Sequence, residues 1–247
     1  MNVSFIIPCY NCENYISSNI YKLYKKLNNS NIKYEIILID DHSYDKTLFR
    51  LSELKKRIKK IKLIKNNKNF GKSFSIIRGI KACKYKYVVF IDCDFPYFKS
   101  IFKIIKYLKK NDMVIINRRE KESSLENKKL NLYQWTRIVL GYLINNFIRI
   151  WFNISIKDTQ AGLKGFIKPK NFKKIKFISK RFFFDLELIL IFIFAQKKIF
   201  SLKTIYSVNK KSSINFFDLN KNFEILYELI KICFNYKLMN EKTYNIL

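Results

Sequence analysis

The feature that most constrains the fold is a regular alternation of short apolar runs with amphipathic segments over the first hundred residues. Each apolar run has strand length and ends in polar or turn-forming residues, and each following segment repeats apolar residues at helical spacing. This alternation predicts a mostly parallel sheet with helices on both faces and a ligand site beyond the carboxyl ends of the strands. The predicted strands are Val3–Ile7, Glu35–Ile39, Lys62–Lys65 and the start of Tyr87–Pro96, and the helices between them are Asn14–Leu27, Lys46–Ile61 and Ser73–Lys84.

The second half of the chain continues the pattern after a charged, aperiodic loop at Glu120–Lys129. We expect one domain over residues 1–215, followed over residues 216–247 by an amphipathic helix and tail that pack on the domain or lie on a membrane surface. The chain starts directly on a strand without a signal peptide, and its later apolar stretches are too polar or too short to span a membrane. A soluble or peripheral protein is therefore expected.

Two acids stand at the end of the fourth predicted strand, in the sequence YVVFIDCDFP. On extended backbone, residues i and i+2 point the same way, so Asp92 and Asp94 can face one divalent cation. Carboxylate oxygens suit Mg²⁺ or Mn²⁺. A strand that ends in an ordinary polar turn explains the same residues, so the pattern alone leaves both interpretations open.

The formal net charge of +30 indicates an anionic partner, such as an anionic membrane or a phosphorylated substrate. The positive residues are mostly lysines spread along the chain beside abundant asparagine and isoleucine, so a compositional bias explains the charge equally well. Nucleic-acid-binding proteins more often show clustered arginines with stacking aromatics, and no such motif is present. We therefore expect no nucleic-acid partner.

The five cysteines lack the spacing of a disulfide scaffold, which is typical of a protein from a reducing cytosol. Cys9 and Cys12 form a C-x-x-C pair where a strand meets a helix, so a redox site is an alternative interpretation. A zinc site is disfavoured, because there is no second Cys/His pair and His42 is the only histidine.

Polar motifs follow the predicted strands in a set order: VSFIIPCYNCENY (3–15), EIILIDDHSYDKT (35–47), NFGK (69–72), Gly79 and Asp92–Asp94. In this order they resemble the nucleotide-binding half of family 2 glycosyltransferases. The resemblance implies the GT-A fold, an α/β architecture with a Rossmann-like, mostly parallel central sheet. Later elements look like the dolichyl- and polyprenyl-phosphate sugar transferase branch, and the similarity covers Val3–Val208. These elements are Arg118, Arg137, DTQAGLKGF (158–166) and FDLEL (184–188).

The resemblance implies a UDP- or GDP-sugar site at the carboxyl ends of the first strands. The Tyr10 ring would stack on the nucleobase and Asp41 would accept from a ring N–H. Gly71 would permit close backbone approach to the diphosphate, and Lys72 would supply a cation. The residues assigned to this site are Pro8, which ends the first strand, with Tyr10, Asn11, Asp41, Gly71, Lys72, Asp92, Asp158 and Gln160.

The same resemblance assigns a cation to the two acids after the fourth strand. Asp92 would lie near the ribose or the metal, and Asp94 would ligate Mg²⁺ or Mn²⁺ directly. Phe95–Tyr97 replaces the family's usual leucine and polar residue, which removes a third protein ligand. Diphosphate oxygens or waters then complete the metal's shell, and the cation neutralises the departing nucleotide diphosphate.

On the acceptor side, Arg118 and Arg137 match the family's phosphate-binding arginines. Two guanidinium groups can hold a lipid phosphate and aim it at the anomeric carbon. Asp185 and Glu187 interrupt an apolar helix, and we expect them at the cleft, holding an arginine or a sugar hydroxyl, with a purely structural pairing as the alternative. The predicted catalytic residues are Asp94, Arg118, Arg137 and Asp185.

Acceptor chemistry separates two branches, because a hydroxyl acceptor needs a base whereas a phosphate is already ionised. The Glu-Asp pair followed by an arginine cluster, which hydroxyl-acceptor members carry, is absent from this sequence. We predict metal-dependent, inverting transfer of a hexose to polyprenyl (dolichyl or undecaprenyl) phosphate by a peripheral protein at the cytoplasmic face of an anionic membrane. The alternatives are transfer to a hydroxyl of a cell-surface glycan, and an inactive GT-A scaffold that binds membranes.

Overall fold

A computed structural model describes residues 1–125, 130–206 and 219–238 of the chain. The strands are β1 (Asn2–Cys9), β2 (Lys33–Asp40), β3 (Ile61–Lys65), β4 (Tyr87–Ile91), β5 (Met113–Asn117), β6 (Ser124–Leu125), β7 (Leu163–Ile167), β8 (Ile199–Lys203) and β9 (Ile205–Tyr206). The α-helices are α1 (Ile16–Asn28), α2 (Thr47–Arg57), α3 (Lys72–Ala82), α4 (Ile101–Tyr107), α5 (Leu132–Phe152), α6 (Phe184–Phe194) and α7 (Leu219–Leu238). Short 3₁₀ turns lie at Phe98–Ser100 and Phe172–Lys174.

The main sheet has seven strands in the order β3-β2-β1-β4-β7-β5-β8, and β6 pairs with β9 separately. Strand β7 runs antiparallel to β4 and β5, whereas the other pairs of this sheet are parallel. The predicted mostly parallel sheet is confirmed. The sequence periodicity did not predict that β7 inserts antiparallel between β4 and β5.

Alternate residues of each strand face two separate cores. Phe5 and Ile7 of β1 pack in the core that includes α1, α2 and α4, whereas Ile6 packs with α3 and α6 on the other face. Helix α6 is apolar except for Asp185 and Glu187, and residues Phe184–Phe192 are buried. The helices therefore cover both faces, as predicted.

Pro8 was predicted to end the first strand, but β1 continues through Pro8 to Cys9. The Cys9 carbonyl accepts from the Asp41 N–H at 2.9 Å, on the β2 side, so the Pro8 nitrogen faces the β4 side. Pairing between β1 and β4 ends at Ile6. The missing N–H of Pro8 therefore breaks no ladder hydrogen bond, which is why the strand tolerates it.

The loop predicted at Glu120–Lys129 differs in detail from the sequence expectation. Part of the predicted loop Glu120–Lys129 is ordered, since Ser124–Leu125 pair with Ile205–Tyr206, and residues 126–129 lie outside the described part. The predicted C-terminal amphipathic helix forms as α7, which packs on α5 through the Trp151 Nε1–H donating to the Cys233 carbonyl at 3.3 Å. In the described part of the chain, no helix combines the length and apolar character needed to cross a membrane.

Candidate active site

Hydrogen bonds tie together the loops that follow β1 and β2. Asn11 has a φ of 47°; its N–H donates to Ser43 Oγ at 3.1 Å and its Oδ1 accepts from the Tyr44 N–H at 3.0 Å. The Tyr10 and Tyr44 rings meet edge to face, with centroids 6.3 Å apart, and Tyr10 is 37% exposed. Tyr10 thus lies at an accessible rim of the strand edge, where an aromatic ring can stack on a flat ligand.

Asp41 organises the loop between β3 and α3. It is buried, its Oδ1 accepts from Asn66 Nδ2 at 2.6 Å and the Phe70 N–H at 3.1 Å, and its Oδ2 accepts from the Gly71 N–H at 2.7 Å. Gly71 has a φ of 94°, and a Cβ on it would lie 2.9 Å from the Arg181 Cα, so only glycine fits there. The loop thus engages both oxygens of Asp41; its contact with a nucleobase stays a prediction.

Lys72, the first residue of α3, lies between two carboxylates. Its Nζ is 2.8 Å from Asp92 Oδ1 and 3.4 Å from Asp185 Oδ2. Asp185 also binds the ammonium group of Lys164, a fully buried residue of β7 that donates to the Ala161 carbonyl at 2.7 Å. Asp92, Lys72, Asp185 and Lys164 therefore form a series of alternating charges, named here the lysine–aspartate chain.

Burial and charge pairing act against each other in this chain. Burial favours the neutral form of Asp185, but Lys164 and Lys72 outweigh it, and the pKa of Asp185 is lowered. Burial also disfavours the charge on Lys72, but Asp185 and Asp92 outweigh it and raise the Lys72 pKa. For Lys164, burial prevails over Asp185 and lowers the pKa. Because 29% of the Lys72 side chain is exposed, it is the cation of this chain that a ligand can reach.

Asp92 and Asp94 follow β4 in a tight turn. The Asp92 carbonyl accepts from the Phe95 N–H at 3.0 Å, and Phe95 is buried with a φ of 51°, a strained value for a bulky residue. Phe95 is held by stacking on Phe98, at 6.1 Å between ring centroids. Gly162 lies against Asp92, since a Cβ on it would be 1.6 Å from Asp92 Oδ2. Packing on both sides thus fixes the turn that carries the two acids.

The two acids of this turn partly fit a divalent cation. They offer hard oxygen ligands one residue apart, which suits Mg²⁺ or Mn²⁺. Among the described residues, no group of three or more His, Cys, Asp or Glu side chains is arranged to hold a metal. Asp92 also already contacts Lys72. The donor set therefore fits a cation that shares its shell with ligand oxygens, such as those of a diphosphate, and not one held by protein alone.

Arg118, directly after β5, forms a bidentate pair with Asp158. Its Nε donates to Asp158 Oδ2 at 2.7 Å, its Nη2 to Oδ1 at 2.8 Å, and its backbone N–H to Oδ2 at 3.0 Å. Burial favours the neutral form of Asp158, but Arg118 outweighs it and lowers the Asp158 pKa. The Arg118 side chain is 29% exposed, so part of it remains accessible.

The remaining predicted residues lie nearby or in structural roles. The Gln160 N–H donates to Asp158 Oδ1 at 3.3 Å. Arg137 lies on α5, and its side chain is outside the described part of the structure. Glu187 accepts from the Tyr236 hydroxyl at 2.8 Å and from the N–H groups of residues 178 and 179, which is the structural pairing that was left as an alternative. Asp185 and Glu187 thus face different partners.

The lysine–aspartate chain and the Arg118–Asp158 pair both lie beyond the carboxyl ends of the parallel strands, a region called the cleft from here on. Burial raises the pKa of the Tyr97 hydroxyl, Arg118 opposes this, and the charges of Asp158, Asp92 and Asp94 add to it. Tyr97 therefore lies within electrostatic reach of both groups.

The sequence analysis did not predict a role for Lys164. The available signal was a lysine in the apolar strand β7 together with an acid in the apolar helix α6.

The thiols near this cleft are free and shielded. The Cys12 thiol interacts with those of Cys9 and Cys93, and the Cys9 thiol raises the pKa of Cys12, with burial adding to the effect. Burial likewise raises the pKa of Cys9. Because a reactive thiol needs a lowered pKa, this environment speaks against the redox interpretation of the C-x-x-C pair.

Sequence comparison places the chain among known enzymes. The model of glycosyl transferase family 2 matches residues 4–177. A dolichyl-phosphate beta-glucosyltransferase of Dictyostelium discoideum is 30% identical over 177 residues, which are 67% of this chain and 54% of that protein. A dolichol-phosphate mannosyltransferase of Pyrococcus furiosus is 32% identical over 131 residues, which are 51% of this chain and 36% of that protein. The chain thus spans about half of the first relative and about a third of the second.

Structure comparison supports the same fold. Glucosyl-3-phosphoglycerate synthase from Mycobacterium tuberculosis, solved in complex with Mn²⁺, UDP and glucosyl-3-phosphoglycerate, superposes with a TM-score of 0.66 at 15% identity. The match covers 94% of this chain and 80% of that one, and it confirms the predicted α/β GT-A fold. With a family match over most of its length and this fold, the chain belongs to the family 2 glycosyltransferases.

Proposed function

We propose that this glycosyltransferase moves a hexose from a UDP- or GDP-sugar to a polyprenyl phosphate, with inversion at the anomeric carbon. The observation that carries the proposal is that Asp158 and Asp185 pair with basic side chains and have lowered pKa values. Acids with lowered pKa values are weak general bases. A phosphate monoester is ionised near neutral pH and needs no base, so this cleft suits a phosphate acceptor better than a hydroxyl.

The donor site is assigned to the edge formed by β1, β2 and β4. Tyr10 offers an exposed ring to the nucleobase, and Lys72 offers an ammonium group to the diphosphate. Asp92 and Asp94 would hold Mg²⁺ or Mn²⁺ together with diphosphate oxygens, and this cation would neutralise charge on the leaving group. The Mn²⁺ and UDP in the mycobacterial synthase support this assignment.

The acceptor site is assigned to Arg118. Asp158 fixes the plane of the guanidinium group through two parallel hydrogen bonds from Nε and Nη2, and Nη1 is assigned to the acceptor phosphate. One phosphate oxygen attacks the anomeric carbon while the bond from that carbon to the diphosphate oxygen breaks. Lys72 then stabilises the charge that develops on the diphosphate. The relatives named for dolichyl phosphate support this acceptor, and Arg137 is assigned to the same phosphate.

Helices α5 and α7 supply a surface for the membrane that carries a lipid acceptor. The two helices pack together, and Lys237 Nζ lies 4.3 Å from the centroid of the Trp151 ring. Apolar side chains combined with neighbouring lysines suit the interface of an anionic bilayer. Exposed apolar side chains on these helices include Leu132, Trp135, Leu143, Ile150, Phe223 and Tyr227.

A donor and acceptor screen tests the reaction. The purified chain is incubated with Mg²⁺ or Mn²⁺, polyprenyl phosphate and UDP- or GDP-hexoses, and released UDP or GDP is measured together with the glycolipid. We expect one nucleotide to be released in step with glycolipid formation, and much less product without metal. Release that depends on a glycan hydroxyl acceptor would identify the alternative branch, and no transfer with any donor would contradict the proposal.

Vesicle flotation tests the membrane surface. Replacing Ile150, which is 82% exposed on α5, with glutamate is expected to weaken binding to anionic vesicles, because a charge then faces the acyl chains. Phe49→Glu is the matched control, because Phe49 is 59% exposed on α2, on the other face of the sheet. Equal binding by both variants would contradict the assignment of this surface.

A further inference from the structure

Glu228 of α7 receives hydrogen bonds from one short segment, residues 179–183, which we name the clamp segment. Its Oε1 accepts from the N–H groups of Phe182 at 3.1 Å and Phe183 at 3.0 Å and from the Ser179 hydroxyl. Its Oε2 accepts from the Arg181 N–H at 3.2 Å. A carboxylate has about four acceptor sites, so the clamp segment uses the capacity of Glu228.

The clamp segment in turn caps the start of α3. The Arg181 carbonyl accepts from the Ser73 N–H at 3.2 Å, and the Lys180 carbonyl accepts from the Phe74 N–H at 3.1 Å. The first turn of a helix leaves its N–H groups without helical partners, so these carbonyls satisfy two of them. The Ser73 and Ser179 hydroxyls also share a hydrogen bond of 2.8 Å. The backbone beside Lys72 is therefore fixed from the clamp segment.

The same segment leads into α6, whose first turn carries Asp185. Asp185 Oδ2 lies 3.4 Å from Lys72 Nζ, and the Phe184 N–H donates to Ser73 Oγ at 3.3 Å. Lys72 is therefore positioned twice by one stretch of chain, through the backbone next to it and through its ammonium group. A carboxylate at the start of α6 is also favourable for the helix dipole, and Glu228 supplies one from another element.

We infer that Glu228 is a positioning residue for the donor site: through the clamp segment it keeps the start of α3, and so Lys72, in place to bind a nucleoside diphosphate. The inference rests on the proposed function, because it names what organises the donor end of the same cleft. It also gives α7 a second role beside its exposed apolar face, since a helix of the C-terminal region completes a site built by the first strands.

Glu224 offers a matched control on the same helix. Its Oε2 lies 3.2 Å from Arg181 Nε, and both side chains of this ion pair are about half exposed, at 48% and 56%. Exposed pairs of this kind contribute little to stability. Glu224 therefore carries the same charge one turn away and contacts the same segment, but it does not bind the clamp backbone.

The experiment compares Glu228→Gln and Glu224→Gln by calorimetric titration with UDP and GDP and by hydrogen exchange of the amides of residues 70–75. Four groups of the clamp segment donate hydrogen bonds to Glu228. In Glu228→Gln an amide N–H₂, which cannot accept from them, replaces one of the two acceptor oxygens. We expect about tenfold weaker nucleotide binding, the low end of the loss known for residues that orient a metal ligand. Exchange at Ser73 and Phe74 should be faster. Glu224→Gln should match the wild type in both measurements.

The outcomes separate the two claims. A wild-type protein that binds neither nucleotide would overturn the proposed function, whereas the exchange at Ser73 and Phe74 would still test the clamp. Wild-type affinity and exchange in a folded Glu228→Gln variant would overturn the inference. If that variant does not fold, Ser179→Ala replaces it, since it removes only the link between Glu228 and Ser73. We then expect about threefold weaker binding, the size of losing one modest hydrogen bond; wild-type behaviour there would equally overturn the inference.

Discussion

The cleft holds its basic side chains in two different ways. The Arg118–Asp158 pair is closed, because one guanidinium group faces one buried carboxylate through two parallel hydrogen bonds. The lysine–aspartate chain is open, because Lys72 is shared by two acids and Asp185 is shared by two lysines. A planar fork keeps its orientation when ligands enter and leave, whereas an ammonium group is a point charge that can exchange partners.

The two lysines of the lysine–aspartate chain have different roles. Lys164 is fully buried and bound to Asp185, so its charge contributes to the fold and is closed to ligands. Lys72 is partly exposed and can leave Asp92 for a diphosphate oxygen while Asp185 still holds it. Asp185 was predicted as a catalytic residue, but its contacts suit it to stabilising Lys164 and positioning Lys72.

The largest expected effect comes from breaking the open chain at Asp185. Asp185→Asn leaves the Lys164 ammonium buried without its counter-charge, which should cost about 3–5 kcal/mol of unfolding free energy. Urea unfolding measures this loss, and Glu53→Gln, which breaks an exposed pair with Lys56, should unfold like the wild type. The double variant Lys164→Met with Asp185→Leu should recover much of the loss. If Asp185→Asn is as stable as the wild type, the buried pair is not what holds β7 to α6.

The second largest effect is expected at the Arg118–Asp158 pair. Arg118→Lys keeps the positive charge but loses the fork, so the acceptor phosphate is misplaced and transfer should slow about a hundredfold. Initial rates against polyprenyl phosphate measure this, with the donor KM close to the wild-type value. Arg119→Lys is the control, because Arg119 donates to the Gly141 carbonyl at 2.6 Å and does not bind Asp158. Equal rates for Arg118→Lys and the wild type would show that orientation of this cation is unimportant.

A smaller effect is expected at Lys72, the partly exposed lysine of the lysine–aspartate chain. Lys72→Met should weaken UDP or GDP binding about tenfold, or 1.4 kcal/mol, because the diphosphate loses one charged hydrogen bond. Calorimetric titration measures the affinity, and Lys81→Met, at an exposed position on the same helix, serves as the control. Unchanged affinity in Lys72→Met would mean that this ammonium group serves only Asp92 and Asp185.

The sequence allowed the donor edge to be predicted because parallel strands bring their carboxyl ends together. That rule placed Gly71, Lys72 and Asp92 in one region, and the structure shows them there. The rule does not predict which acid pairs with which basic residue, because the sequence has 49 lysines and arginines and only 19 acids. The Lys72 contacts with Asp92 and Asp185 depend on side-chain packing that periodicity does not encode.

The contacts that the sequence did not predict in the second half of the chain depend on the order of the strands and helices in space. Strand β7 enters the sheet antiparallel between β4 and β5, which brings Lys164 to Asp185 and Gly162 to Asp92. Glu187 meets Tyr236 of α7, 49 residues away, so its structural role depended on where α7 docks. These contacts join elements whose order in space is not fixed by local pattern, whereas the apolar helix α6 itself was recognised from its composition.

The smallest effect concerns the charge within the closed pair. The Asp158 pKa is lowered in the folded protein, so the pair contributes stability above the unfolded pKa of about 3.9 and loses it as pH falls through the folded value. Asp158→Asn should therefore be less stable than the wild type at pH 7, and this gap should narrow below about pH 4. Urea unfolding at several pH values measures the difference in unfolding free energy between the two proteins. The other acids titrate in both proteins, so their contributions cancel in this difference. A gap that is the same on both sides of that pH would show that hydrogen-bond shape, and not carboxylate charge, holds Arg118.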